Sequence, residues 1–166
     1  MKIVQMIILS FFFQSCFTSK NNSEIAFANK YFDEDFSDFK NSDFVIRGLD
    51  NDGNYIVLKF DAAPCGFLGI ILDKDSLSLL SIEPIYQSNY YCSIDTSYSN
   101  YLLAKKFINY NIQAIEVDNN NNVYVKTKFY EGRPNLVRFS DRKFVKDIDT
   151  SKWDCIRGNW YLFTDQ

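Results

Sequence analysis

Carboxylates and thiols are the side chains here with most claim to chemistry, because the 166 residues include no histidine. Ser-His-Asp and Cys-His catalysis, imidazole acid–base work, and the usual zinc and non-haem iron sites all fall with that absence. What survives is acid–base work by carboxyl groups or attack by a lone thiolate. A glycosidase needs two carboxyls about 5–9.5 Å apart, one with its pKa raised by burial. Glu83, between Ile82 and Pro84, is the acid whose neighbours point to burial. No second acid pairs with it in the sequence, and a solvent-facing place at a strand end is the ordinary expectation for glutamate. Cys65 precedes Gly66 as a nucleophile on a tight turn would. No base can be assigned to it, and packing or a disulfide is the plainer reading.

Metal and phosphate motifs fare no better. Asp50-Asn51-Asp52-Gly53-Asn54 invites a calcium reading, but an EF-hand loop wants glycine at its sixth place and glutamate at its twelfth. Counted from Asp50, those places hold Tyr55 and Asp61, so a hairpin turn explains the run better. Gly66-Phe67-Leu68-Gly69 lacks the lysine of a P-loop, and no Cys-x-x-Cys spacing offers a zinc knuckle or redox pair. Asp33-Glu34-Asp35 reads as a solvated helix face. No metal and no cofactor is expected.

Recognition is a better prospect than catalysis. Tyr86, Tyr90, Tyr91 and Tyr98 bracket an Asn/Ser-rich stretch around Cys92, and tyrosines in loops offer contact area at little rotamer cost. These four form the candidate binding surface. Nucleic acid is not its expected ligand: the net charge is −3, and the basic residues are scattered, with only Lys105-Lys106 and Arg142-Lys143 adjacent. A nucleic-acid binder would carry a basic stripe to displace phosphate counterions.

The elements that must position these residues follow from periodicity. Ile25, Ala28, Phe32, Phe36 and Phe39 recur at helical steps, which predicts an amphipathic helix over Ser23 to Phe39 capped by Ser23. A second helix is predicted over Tyr98 to Asn109, with Ser97 or Ser99 as its cap. Strands are expected at Phe44–Leu49 and Asn54–Phe60 about the Asp50–Gly53 turn, and at Gly66–Leu72 and Leu77–Ile82. More follow at Ile115–Val117 and Val123–Thr127 about an Asp118–Asn122 turn, at Leu136–Phe139 and at Trp160–Phe163. The second hairpin with its Leu136-Val137-Arg138-Phe139 strand is similar to the blade signature of some β-propeller sensor repeats. Propeller closure needs at least four blades of about 40 residues, and the chain is too short for it. The fold class is α+β: a single domain, mainly an antiparallel sheet of hairpins with about two helices, over residues 24–166.

The opening residues carry an address. Lys2 is followed by the mostly apolar run Ile3 to Phe13, the build of a secretory signal and too short for a span of roughly 20 residues. Phe13-Gln14-Ser15-Cys16 resembles the lipobox of bacterial lipoproteins, in which a small residue precedes the cysteine that becomes the lipidated N-terminus. Ser15 and Cys16 fit it; Phe13 stands where leucine is usual, and Gln14 is an uncommon occupant of the middle position. The resemblance implies a signal over 1–15, an acyl chain such as palmitate on Cys16, a polar tether over 16–23, and anchorage to the outer or cytoplasmic membrane of a bacterial envelope. Cleavage at Cys16-Phe17-Thr18 instead would give a secreted protein, and retention of the segment a hydrophobic N-terminal strand.

Loss of Lys2 with the signal leaves 17 basic against 21 acidic residues, a net charge of −4. With Cys16 lipidated, Cys65, Cys92 and Cys155 remain, and an oxidising envelope lets two of them pair. A Cys65–Cys92 bridge would close a loop of about 28 residues, worth roughly 3–4 kcal/mol. The expected function is an envelope-anchored lipoprotein with a non-enzymatic binding domain for a protein or glycan ligand, in its narrower form an immunity or inhibitor protein. The competing expectation is a carboxylate-dependent glycan-active enzyme of the envelope.

Overall fold

The computed structural model describes residues 22–61, 66–86, 95–127, 134–147 and 151–164. Helix α1 spans Asn22–Lys30 and a 3-10 turn Ser37–Phe39; β1 (Ser42–Leu49), β2 (Tyr55–Asp61), β3 (Gly66–Leu72) and β4 (Leu79–Tyr86) follow as a meander. Helix α2 (Tyr98–Asn109) leads to β5 (Ala114–Val117), β6 (Val123–Lys126) and β7 (Leu136–Arg138). A 3-10 segment (Arg142–Asp147) then precedes the hairpin of β8 (Trp153–Arg157) and β9 (Trp160–Phe163). All nine strands join one sheet in the order β4-β3-β2-β1-β5-β6-β7-β9-β8, and every pairing is antiparallel. The α2 connection carries the chain from the β4 edge to the middle of the sheet, where β5 pairs with β1. No helix among the described residues is long and apolar enough to cross a membrane.

Strand periodicity sends alternate side chains to opposite faces, and the pairing register defines the inner row. Phe44 lies opposite Lys59 on one side and Ile115 on the other, and the row continues through Leu68 in one direction and Val125, Leu136 and Leu162 in the other. Both helices and the first 3-10 turn supply the covering layer: Phe27 and Ala28 from α1, Phe36 and Phe39 beside the turn, and Tyr101, Ala104 and Phe107 from α2 are all buried. Rings dominate the contact. Phe27 meets Trp160 edge-on at 5.9 Å, Phe36 meets Tyr110 at 5.4 Å, and Phe44 lies between Phe39 at 5.4 Å and Phe107 at 5.8 Å. Such tilted pairs add about 0.5–1.5 kcal/mol each beyond area burial.

The expected helix α2 matches its observed span, but two caps do not work as expected. Ser97 holds extended N-cap geometry without a cap hydrogen bond; its hydroxyl turns to Asp95 Oδ2 at 2.9 Å and to Ser99 Oγ at 2.6 Å. Helix α1 begins at Asn22, within the stretch expected as tether, so Ser23 lies inside the helix, and its hydroxyl donates to Glu24 Oε2 at 2.7 Å. The helix also ends at Lys30 rather than Phe39. Asp35 Oδ1 accepts the Ser37 N–H at 2.9 Å, a local turn that competes with helix propagation. Phe36 and Phe39 still reach the core from the non-helical segment. The sequence reading missed β8, and it ended β4 too early: the strand runs through Glu83 and Pro84 to Tyr86.

Candidate functional site

The expected binding surface is described in part. Tyr98 opens α2, 64% exposed, with its ring 4.9 Å from that of Tyr101. Tyr101 is buried, and its hydroxyl donates to the Leu77 carbonyl at 3.1 Å, so the exposed ring leans on a fixed one. Leu102, one helical turn on, is also exposed, as are Leu80 and Ile85 along the edge strand β4. Tyr86 is described by its backbone at the end of β4; Tyr90 and Tyr91 lie outside the described residues, as do Cys16, Cys65 and Cys92. Cys155 is half-buried on β8, with its thiol 3.9 Å from the Gly158 carbonyl.

Glu83 is exposed in the middle of β4, not at a strand end, and lies opposite Gly69. The close carboxylates are elsewhere. Asp43 and Glu116 are direct cross-strand partners on β1 and β5, where Cβ atoms stand about 4.5–5.5 Å apart on one face. They line a shallow cavity of about 320 Å³ with Phe60, Asn41 and Asp118. Burial first, and the Glu116 charge second, push the Asp43 carboxyl up to about 6. Glu83 is three strand spacings from β1, roughly 14 Å, and belongs to neither this pair nor its cavity.

Asp118 and Asp50 are structural. Asp50 Oδ1 accepts from the backbone N–H groups of Asp52 at 2.9 Å and Asn54 at 2.8 Å, and Oδ2 from Asn54 Nδ2 at 3.1 Å. Asp118 repeats the pattern with Asn120 at 2.8 Å, Asn122 at 2.8 Å and Asn122 Nδ2 at 2.9 Å. Both carboxylates are spent on their own turns, which accounts for the calcium-like spelling of the first. Among the described residues no group of three or more acidic or thiol side chains is arranged to hold a metal ion.

A second cavity, about 390 Å³, opens where the chain leaves α1 and meets the β8–β9 turn. Phe32, Asp33, Arg138, Ser140, Asn159 and Trp160 line it. Arg138 is at an inner-face position, opposite Trp160 in the β7–β9 pairing. Its guanidinium lies 4.8 Å from the Phe36 ring centre and 5.6 Å from that of Trp160, and Nη1 donates to the Glu34 carbonyl at 2.7 Å. Burial lowers its pKa, an effect the charges of Asp35 and Glu34 oppose.

Sequence reasoning placed Arg138 in a strand but missed this role. The available signal was its spacing: two residues after buried Leu136, it takes the inner face by period-2 alternation. The Asp43–Glu116 pair had no such signal, because strand pairing between distant segments is not written locally. No protein-family model, curated protein or solved structure matches the chain, so its functional reading rests on its own residues.

Proposed function

We propose that the chain is a bacterial envelope lipoprotein, anchored through Cys16, whose domain is a non-enzymatic module that binds a protein partner, as an immunity or inhibitor protein does. The observation that supports this reading is the exposed Tyr98 ring held against the anchored Tyr101. A pre-positioned aromatic loses little rotamer freedom on binding, which is why tyrosine is frequent among binding hot spots. Leu102, exposed on the same helix, extends the apolar contact area. The test places a photo-crosslinking aromatic at Tyr98, or at exposed Lys152 on the far edge as control, in the full chain in native envelopes. A discrete adduct from position 98 that is missing from position 152 supports the reading. Equal adducts from both, or none, would remove the surface from consideration.

The carboxylate-dependent enzyme is the second reading, and Asp43 facing Glu116 is the observation that favours it. A carboxyl whose pKa burial raises to about 6, facing a second carboxyl across the strands, is the kind of pair that glycoside hydrolysis uses. Release of reducing ends from peptidoglycan by the full chain, abolished in a folded Asp43→Asn variant, would replace the binding reading with this one.

A further inference from the structure

The cavity around Arg138 is lined by a guanidinium with hydrogen-bonding capacity to spare. Of the five N–H groups of a guanidinium, Arg138 engages one, to the Glu34 carbonyl, and no carboxylate lies within ion-pair distance of it among the described residues. Trp160 lines the same cavity, fully buried, and its indole N–H has no acceptor among the described residues. The Phe36 and Trp160 rings lie close to the half-buried guanidinium, and the lower local dielectric beside them strengthens its interaction with any charge it meets. A planar fork so placed matches a carboxylate, two parallel N–H···O bonds at once. With Asp33 on the cavity wall and Asp35 and Glu34 close enough to act on Arg138, carboxylates outnumber the guanidinium, so net repulsion grows about twofold from a monoanion to a dianion while the fork offers the same two bonds.

From this donor set we infer that the Arg138 cavity is a seat for a single carboxylate, presented by a peptide C-terminus or by an acidic side chain. The inference rests on the binding-module reading and gives that module a second, polar point of recognition. The cavity is preformed between α1 and the β8–β9 turn, so occupancy needs no rearrangement of the sheet. The indole N–H is covered by its neighbours and therefore reports occupancy through the bound charge, while Arg138 makes the contact.

The experiment follows the two indole N–H signals by NMR on the full chain, assigned with Trp153→Phe, at constant ionic strength. N-acetylglycine, its amide, the amide of N-acetylaspartate and inorganic phosphate are the probes. A saturable shift of the Trp160 signal is expected with the two carboxylates, at a Kd on the order of 1 mM, and not with the neutral amide. The stronger of the two carboxylates separates terminal from side-chain recognition. Arg138→Lys, which keeps the charge and loses the fork, is expected to weaken binding at least about 10-fold. Asp33→Asn is expected to admit phosphate. The absence of a saturable shift with both carboxylates in the parent, or tighter binding of phosphate than of carboxylate, overturns the inference. Neither result bears on the Tyr98 crosslink, so the two readings fail separately.

Discussion

Asp43 is held near Glu116 in a partly buried place, and its raised pKa has a definite consequence for stability. The folded form takes up the Asp43 proton more readily than the unfolded chain does, with a pKa about 6 against an ordinary 3.8. Its contribution to stability is therefore fully present below pH ~4 and is lost as pH rises to ~6. Asp43→Asn removes this titration, so the variant gains about 2 kcal/mol over the parent at pH 7 and little at pH 4, after discount for partial exposure. Urea denaturation at the two pH values measures it. Glu24 is the opposite case: 1% exposed, it accepts from Ser23 Oγ, from Thr127 Oγ1 at 2.7 Å and from Asn135 Nδ2 at 2.9 Å. These bonds tie α1 to the two ends of the β6–β7 connection. Glu24→Ala strands half-buried donors and is expected to cost about 2 kcal/mol, and Glu24→Gln less, by equilibrium unfolding. Neither role was visible in the sequence, where no local pattern marks either residue. Their partners lie 73 residues away for Asp43 and 103 for Thr127, and only the fold brings them together.

The elements themselves were more legible than the residues. Helix α2 keeps a 3.6-residue period through Tyr101, Ala104, Phe107 and Ile108, and the hairpins alternate cleanly about residues that favour tight turns. Where elements were misread, tertiary packing supplied what the local pattern lacked. The aromatics beyond Lys30 have helical spacing yet pack from a turn, and β8 is an edge strand of half-buried residues with no alternation to detect. The shared turn chemistry gives a prediction at this scale. Both hairpin turns use an aspartate and an asparagine four residues later, with positive φ at Gly53 and at Asn121. The second turn does more, because Asn122 is 3% exposed and its Oδ1 also accepts the Ser140 N–H at 3.0 Å. Asp118→Ala should cost about 1–2 kcal/mol by loss of these turn bonds, and should cost more than Asp50→Ala. Thermal unfolding of the two variants side by side reads the difference; equal shifts would show that the Asn122 link across to Ser140 contributes nothing.

At the scale of the molecule, the two meanders share β1 and β5 as their seam, and the sheet presents its helical layer on one side. Helix α1 starts at Asn22, only six residues after Cys16. A chain of that length spans at most about 20 Å when extended, so a lipid on Cys16 would hold the α1 end of the domain against the membrane surface. Arg138 and its cavity lie beyond the other end of α1, by way of Phe32 and Asp33. The nine residues of α1, roughly 13 Å of helix, would stand between the anchor and a carboxylate seated there. Expression of the parent beside Cys16→Ser, with a labelled fatty acid and fractionation, is expected to give label and membrane partitioning for the parent and neither for the variant. A single acyl chain binds a bilayer only reversibly, so partial release of the parent by washing would indicate one chain, and full retention more than one. If both proteins leave the cell without label, the tether argument disappears. The crosslink would then have to be sought in the medium rather than in the envelope.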